Sequence, residues 1–396
     1  MSPSGEMSPS GRTILLTGAT GFLGMDALER LIGREGDQIF VLIRAQDDDQ
    51  ARERLQTVLA RLYDEPPAAA ARVRAVRGDL LQAGLGLSAE DRERLIGSVD
   101  RIIHCAASIS FELPLREARA INVEGVARVI ELAREIAAGG SLRRLVHVST
   151  AYVSGRHAGE FGEEDLDVGQ EFRNTYERSK NEAEHLLRGA PDLPLVVARP
   201  SIVVGHRASG WTPVFNVLYW PIRAFERGLL DEVPAREDSI VDFVPVDYVT
   251  DGIVALLDDE LAHGTYNLVA GELALSAGEL VELHSSLSGR PPVRFASQQA
   301  AGGLPAGAET FVPYFDVRCR FTDTRACAVL ERAGVERPDP REYLGRLIAY
   351  ARMAGWGKRG ISRQASMAAA HADTDGIDHA TCAGGPRRCR TTSSAR

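Results

Sequence analysis

Residues 13–24 read Thr-Ile-Leu-Leu-Thr-Gly-Ala-Thr-Gly-Phe-Leu-Gly. A short apolar run, Thr13–Thr17, leads into three glycines at 18, 21 and 24, and an amphipathic stretch, Asp26–Arg34, follows. The run has the length and apolarity of a buried strand, and the stretch after it has the spacing of a helix. Between a strand and a helix, three glycines at this spacing each have a steric reason. Gly18 permits the tight turn, Gly21 lets the backbone approach a pyrophosphate, and Gly24 allows close packing of helix on strand. Thr17, Thr20, Phe22 and Leu23 complete the loop, and the helix N-terminus faces the anion.

The same alternation continues outward from this loop. Gln38–Ile43, Val73–Val76, Arg101–Ala106, Arg144–Val148 and Leu195–Ala198 read as further buried strands, and Gln50–Tyr63, Leu115–Ile136 and Asn174–Arg188 as the helices between them. Parallel strands need crossovers of about this length, so the fold class is α/β, a doubly wound parallel sheet of the Rossmann kind. After Gly205 the rhythm breaks into a Trp/Pro/aromatic segment, Trp211 to Phe225, then returns to a strand-like Ser239–Val246 and a helix Tyr248–Asp258. The expected organisation is a nucleotide-binding domain over 12–205, with 239–270 returning to it. A smaller C-terminal substrate-binding lobe takes 206–238 and 271–355, and disordered ends take 1–11 and 356–396.

Composition narrows the function. A net charge of −9 argues against a broad nucleic-acid surface, which needs concentrated positive charge. No apolar run reaches the length of a membrane span, and the polar start from Met1 to Arg12 lacks a signal peptide's apolar stretch, so a cytoplasmic protein without stable membrane insertion is expected. The five cysteines suit neither a disulfide framework nor paired metal ligands. His371, His379, Cys382 and Cys389 lack short paired spacing as well, so no metal is expected. Lysine occurs only at 180 and 358 in a chain otherwise rich in arginine.

The second strand ends on Arg44, where an NAD-selective fold usually carries an acidic residue for the ribose hydroxyls. An arginine there favours the 2′-phosphate of NADP; the plain alternative is a solvated surface arginine. Asp47, Asp48 and Asp49 read as the acidic start of the next helix. Asp79 and Leu80 follow the third strand, where Asp79 would lie near the adenine amine, and Ala106 and Ala107 after the fourth would floor the nucleotide cleft.

Tyr176 and Lys180 are four apart on a helix and share one face. A phenol is a poor acid at neutral pH, and a neighbouring ammonium with a cationic nicotinamide would favour its phenolate. Such a tyrosine can pass a proton to a carbonyl oxygen as hydride arrives. Lys180 stands where the chain did not substitute arginine, and its compact charge suits holding a nicotinamide ribose. Thr150 is the candidate substrate-orienting hydroxyl, with Ser149 the close alternative, in a stretch that also reads as an ordinary Ser/Thr turn. Asn122 is a poor helix former midway along Leu115–Ile136. It reads either as an exposed residue or as one that binds a backbone carbonyl or water beside the lysine.

Four segments together resemble the extended short-chain dehydrogenase/reductases: T-G-A-T-G-F-L-G at 17–24, S-T-A-Y at 149–152, Y-E-R-S-K at 176–180 and R-P-S at 199–201. V-L-I-R-A at 41–45, H-C-A-A-S-I-S-F at 104–111, P-L-R-E-A-R-A-I-N-V-E-G-V at 114–126 and V-D-F-V-P-V-D-Y-V at 241–249 look most like the thioester reductase and fatty acyl-CoA reductase branch, of the male sterility type. The resemblance runs from about Arg12 to Arg352. It implies NADP(H)-driven reduction of an acyl thioester, on CoA or an acyl carrier protein, to aldehyde or alcohol. Thr150, Tyr176 and Lys180 would be catalytic with Asn122 assisting, and Arg199 and Pro200 would join the cofactor contacts. The multidomain members carry adenylation and carrier segments; none stands before Arg12, so the expectation is a reductase acting alone or served by a partner. The Trp211–Phe225 segment would be an acyl channel, or equally a lobe core or subunit interface. Competing readings are a ketone or aldehyde reductase, a nucleotide-sugar epimerase or dehydratase, and a non-enzymatic dinucleotide sensor. Retention of Tyr176, Lys180 and Thr150 speaks against the last.

Overall fold

The computed structural model describes residues 11–215, 217–229, 232–233, 235–296, 314 and 316–375. Seven strands form one sheet: β1 (Thr13–Thr17), β2 (Gln38–Ile43), β3 (Val73–Arg77), β4 (Arg101–His104), β5 (Arg144–Val148), β6 (Leu195–Pro200) and β7 (Gly264–Leu268). Their spatial order is β7-β6-β5-β4-β1-β2-β3, and the pairings β2 with β3, β1 with β2, β1 with β4, β4 with β5 and β5 with β6 are parallel. The order reverses between β1 and β4, the kind of switch point at which open α/β sheets bind ligands beyond their strand carboxyl ends. The crossover helices are α1 (Phe22–Ile32), α2 (Asp48–Leu62), α3 (Ala89–Ser98), α4 (Leu115–Asn122), α5 (Glu124–Ala138) and α6 (Thr175–Arg188). Leu15, Phe40, Ile102, Val129, Leu145 and Val197 belong to the core that these strands and helices bury.

One expected helix is broken. Leu115–Ile136 is two helices, α4 and α5, interrupted at Val123, whose backbone sits at φ −106° and ψ −58°. Beside the interruption, Asn122 turns its side chain to the backbone of Ser108 and the hydroxyl of Ser179, and Gly125 abuts Leu80, where an added Cβ would sit 3.2 Å from the leucine Cβ.

The chain divides into two compact units. One runs to Gly155 and adds Glu171–Arg199 and Ile253–Thr265; the other takes Arg156–Gln170, Pro200–Gly252 and the chain from Tyr266. Two short parallel pairings lie within the second unit. Gly159–Phe161 pairs with Cys319–Phe321, and Phe243–Pro245 pairs with Ile202–Val204. The second unit has its own core, with Leu218, Tyr219, Ile222, Phe243, Tyr343 and Leu347. Within Trp211–Phe225, Leu218, Tyr219 and Ile222 therefore follow the lobe-core reading. Phe215 stacks near Tyr350 and Trp356 at 6.2 and 6.3 Å between ring centroids.

The expected disordered tail from 356 is also corrected. Arg363–Asp375 is a helix, and Trp211 Nε1 donates to the carbonyl of Ile361 at 3.1 Å just before it. Residues 376–396, including His379, Cys382 and Cys389, and the N-terminal segment 1–10 lie outside the described residues. Among the described residues no helix is long and apolar enough to cross a membrane, and no cluster of His, Cys, Asp and Glu could hold a metal.

Candidate active site

The glycine loop lies between β1 and α1, as its spacing predicts. Gly18 adopts φ +82°, in the left-handed region open to glycine, and a Cβ there would stand 2.6 Å from the backbone nitrogen of Ala106. A Cβ on Gly24 would stand 2.3 Å from the carbonyl oxygen of Gly18, so neither position tolerates a side chain without backbone movement. Gly21 is different. Its Cβ would meet only Gly18 O, at 3.3 Å, leaving its other side open to a ligand. No side chain caps α1, and its first turn has no acidic residue. Uncapped N–H groups behind a side-chain-free loop fit a dinucleotide pyrophosphate.

The flanking loops close around the same strand ends. The backbone N–H of Ala106 donates to Thr17 Oγ1 at 3.2 Å, which ties the Ala106–Ala107 loop to β1. Thr20 is exposed, and Phe22 and Leu23 are half-buried. Arg44 is exposed just past β2; Arg54 donates to its carbonyl, and Arg77 reaches the carbonyl of Gln46 at 3.3 Å, so two guanidiniums hold this turn. Asp47 caps α2 through Gln50 N at 2.8 Å, with Asp48 and Asp49 in its first turn. Asp79 accepts from Leu81 N at 3.0 Å, and Leu80 offers its carbonyl to Arg128 at 2.7 Å.

Tyr176 stands in the first turn of α6, which is fixed on three sides. Asn174 caps the helix by accepting from Glu177 N at 2.9 Å, Glu177 in turn accepts from Arg173 N at 2.8 Å, and Thr175 donates to Leu113 O at 2.8 Å. Glu177 is fully buried. The Tyr176 hydroxyl is hydrogen-bonded to Thr150, whose Oγ1 also accepts from Tyr152 N at 3.2 Å. Of the two candidate hydroxyls, Thr150 is therefore the one at the tyrosine. Ser149 instead donates to Glu184, which Arg199 grips at 2.6, 3.0 and 3.1 Å. Arg199 is fully buried in this pair. Its side chain anchors Glu184, and Pro200, also buried, ends β6.

Burial pushes the Tyr176 phenol up to about 12 despite the Thr150 hydrogen bond. Asn122 binds a backbone carbonyl, that of Ser108, and not solvent: it accepts from Ser108 N at 2.8 Å and donates to Ser108 O and Ser179 Oγ at 3.0 Å each, which clamps the loop after β4 onto α6. Lys180 donates to Val148 O at 2.8 Å and bonds His147 Nε2 at 3.1 Å, and burial lowers it to about 8. Sequence reasoning passed over His104, His147, Glu177 and Glu184. The signal was a histidine within each of two otherwise apolar strand patterns, Arg101–His104 and Arg144–Val148.

A parallel sheet with a glycine loop at its switch point and a hydroxyl pair beside a buried lysine defines an NAD-binding α/β protein. A model of the male sterility protein family, an NAD-binding family, matches residues 16–253, and the chain belongs to that family. Human fatty acyl-CoA reductase 1 is 33% identical over 276 residues, 60% of this chain and 53% of its own length. The chain thus spans about half the length of the curated relatives it matches. The terminal R domain of the myxalamid PKS-NRPS biosynthetic pathway superposes with a TM-score of 0.76 at 27% identity, covering 89% of this chain and 94% of that one. UDP-glucuronic acid 4-epimerase from Bacillus cereus, in complex with NAD, shares the fold at a TM-score of 0.64 and 18% identity, with 87% and 98% of the two chains covered.

Proposed function

We propose that this chain is an NADPH-dependent reductase of acyl thioesters, carried on CoA or an acyl carrier protein, that yields an aldehyde or, after a second reduction, an alcohol. The observation that carries the reading is the Thr150–Tyr176 hydroxyl pair, with Lys180 one helical turn on, in the unit that holds the uncapped glycine loop. Support comes from family membership and from relatives named as fatty acyl-CoA reductases and reductase domains. The Thr17–Gly24 loop would hold the pyrophosphate, Asp79 and Leu80 the adenine side, Ala106 and Ala107 the cleft floor, and Lys180 the nicotinamide ribose. The exposed Arg44 would take the 2′-phosphate, which favours NADP over NAD and stands against an epimerase that recycles a resident NAD. A cytoplasmic setting, where NADPH and acyl thioesters meet, goes with this reading.

The bound nicotinamide would supply a hydride to the thioester carbonyl carbon. Thr150 and Tyr176 would direct their hydroxyls at the carbonyl oxygen, where negative charge grows as the C=O electron pair shifts onto oxygen. Tyr176 then gives that oxygen its proton, producing a hemithioacetal. On collapse the hemithioacetal proton returns to Tyr176, the C–S bond breaks with its electrons leaving on sulfur, and the thiolate takes a proton from solvent. A protonated Tyr176 is the form this sequence needs.

The test is NADPH oxidation at 340 nm by purified protein with acyl-CoA thioesters, matched aldehydes and ketones, and NADH in parallel. Thioester-dependent oxidation with NADPH preferred is expected. Turnover confined to free carbonyls would replace the reading with a ketone or aldehyde reductase, and turnover only of a nucleotide sugar with an epimerase or dehydratase.

A further inference from the structure

Three adjacent strands of the first unit carry polar side chains in one row that ends at Lys180. In register, Thr17 on β1 is opposite His104 on β4, and His104 is opposite His147 on β5; directly opposed residues share a face of the sheet. Thr17 Oγ1 lies 2.7 Å from His104 Nδ1, the imidazole centroids are 5.1 Å apart, and His147 Nε2 lies 3.1 Å from Lys180 Nζ. Each of the four residues is 1% exposed. A row of polar groups this deep in an apolar sheet is costly. Among the described residues, His104 Nε2 and His147 Nδ1 are buried with no hydrogen-bond partner.

Proton bookkeeping along the row follows from donor chemistry. An ammonium only donates, so His147 Nε2 accepts from Lys180 and the proton of the neutral ring sits on Nδ1. Thr17 Oγ1 accepts from Ala106 N–H and shares a further hydrogen bond with His104 Nδ1, whose direction follows the imidazole tautomer. Burial, reinforced by the charge of Lys180, lowers both imidazoles, His104 to about 3 and His147 well below its ordinary value, so both rings are neutral. The other groups around the ammonium are Cys105, whose thiol burial pushes up to about 12, and Glu184 one turn along α6, already bound by Ser149 and by Arg199 of β6. Among the described side chains, His147 is the one hydrogen-bonded to Lys180 Nζ. With Val148 O it takes two of the three N–H groups of the ammonium.

We propose that His147 is a positioning residue. Its neutral imidazole, backed by His104 and Thr17, fixes the direction of Lys180 Nζ and keeps the ammonium charged, with the third N–H left for the cofactor and substrate side. Thr17, which precedes the glycine loop, bonds His104, and the His104 ring packs against His147 beside the lysine. The inference rests on the reading of Lys180 as part of the reaction site, and the experiment separates the two.

With lysine at only 180 and 358, lysine labelled with 15N at Nζ gives two resonances, and Lys358→Arg leaves that of Lys180 alone. In that background the Lys180 titration is followed in the wild type, His147→Phe, His147→Ala and His147→Gln, alongside the pH profile of kcat/KM. Loss of the acceptor should lower the Lys180 titration by about one pH unit or more in the Phe and Ala variants. The Gln variant, whose amide oxygen can stand near the Nε2 position, should restore it, and the alkaline limb of kcat/KM should follow. An unchanged titration in a folded Phe or Ala variant would overturn the proposal. A shifted titration with an unmoved kinetic limb would support the positioning role and instead overturn the part assigned to Lys180 in the reaction.

Discussion

Lys180 in the first unit and Glu163 in the second are both buried ionisable groups pushed toward neutrality by desolvation, Lys180 down to about 8 and Glu163 up to about 7. Their surroundings differ in one respect. Glu163 accepts three backbone N–H groups, from Asn267 at 3.1 Å, Arg325 at 2.7 Å and Ala326 at 2.9 Å, and so pins the start of the helix Thr324–Arg332 to the end of β7. Lys180 has two of its N–H groups held and one remaining. Perturbed acidity by itself therefore does not mark the reaction site; Lys180 is set apart by standing one helical turn from Tyr176 and its Thr150 partner, whereas Glu163 is engaged by the backbone it anchors.

The largest effects should come from the reaction site. Tyr176→Phe should lower kcat by about 100- to 10,000-fold, the range of a lost general acid, while the melting temperature stays near that of the parent. Lys180→Met should also abolish most turnover yet leave stability unchanged or raised, since a buried charge is removed. Glu163→Leu should do the reverse. Three N–H groups lose their acceptor at about 1–3 kcal/mol each, so denaturant unfolding should show a loss of several kcal/mol while the protein that remains folded keeps its kcat. Severe loss of turnover in folded Glu163→Leu would erase the distinction.

Intermediate effects should appear with pH, and the two groups should act in different windows. Because Lys180 titrates lower folded than unfolded, the folded chain binds fewer protons between about 8 and 10.5, so this group adds stability as pH rises through that window while activity falls above about 8. Glu163 titrates higher folded than unfolded. Its contribution to stability is present below 4.5 and is lost as pH rises through about 7. Urea melts and kcat/KM profiles over pH 5 to 10 check both signs.

Smaller effects sharpen the role of the glycine loop. Gly24→Ala forces a Cβ against the Gly18 carbonyl and should cost stability and nucleotide affinity together, whereas Gly97→Ala, with nothing within 4 Å in α3, should stabilise by about 0.5–1 kcal/mol. Arg44→Ala should lower the preference for NADPH over NADH by about tenfold through KM, in keeping with a single exposed phosphate contact of roughly 1.4 kcal/mol.

The parts of the molecule legible in the sequence are those set by local sterics. The strand, glycine loop and helix at 13–32 follow from apolar runs and from close approaches that only glycine allows, and the four-residue spacing of Tyr176 and Lys180 follows from helix geometry. What escaped reading depends on partners distant in sequence. Asn122 clamps Ser108 to Ser179, Arg199 turns to Glu184, and His147 matters only because β4 and α6 bring His104 and Lys180 to it. The helix Arg363–Asp375 was missed for another reason. Its alanine-rich sequence lacks an apolar period, but alanine is the strongest intrinsic helix former.

The most direct test of the central claim is the stoichiometry of free thiol released to NADPH oxidised when the protein is given an acyl-CoA, read with a thiol reagent beside the absorbance at 340 nm. The account predicts one thiol for each NADPH if reduction stops at the aldehyde, or one for every two if it proceeds to the alcohol, with Tyr176→Phe lowering both in step. NADPH oxidation that releases no thiol, or no oxidation with any acyl thioester, would contradict it.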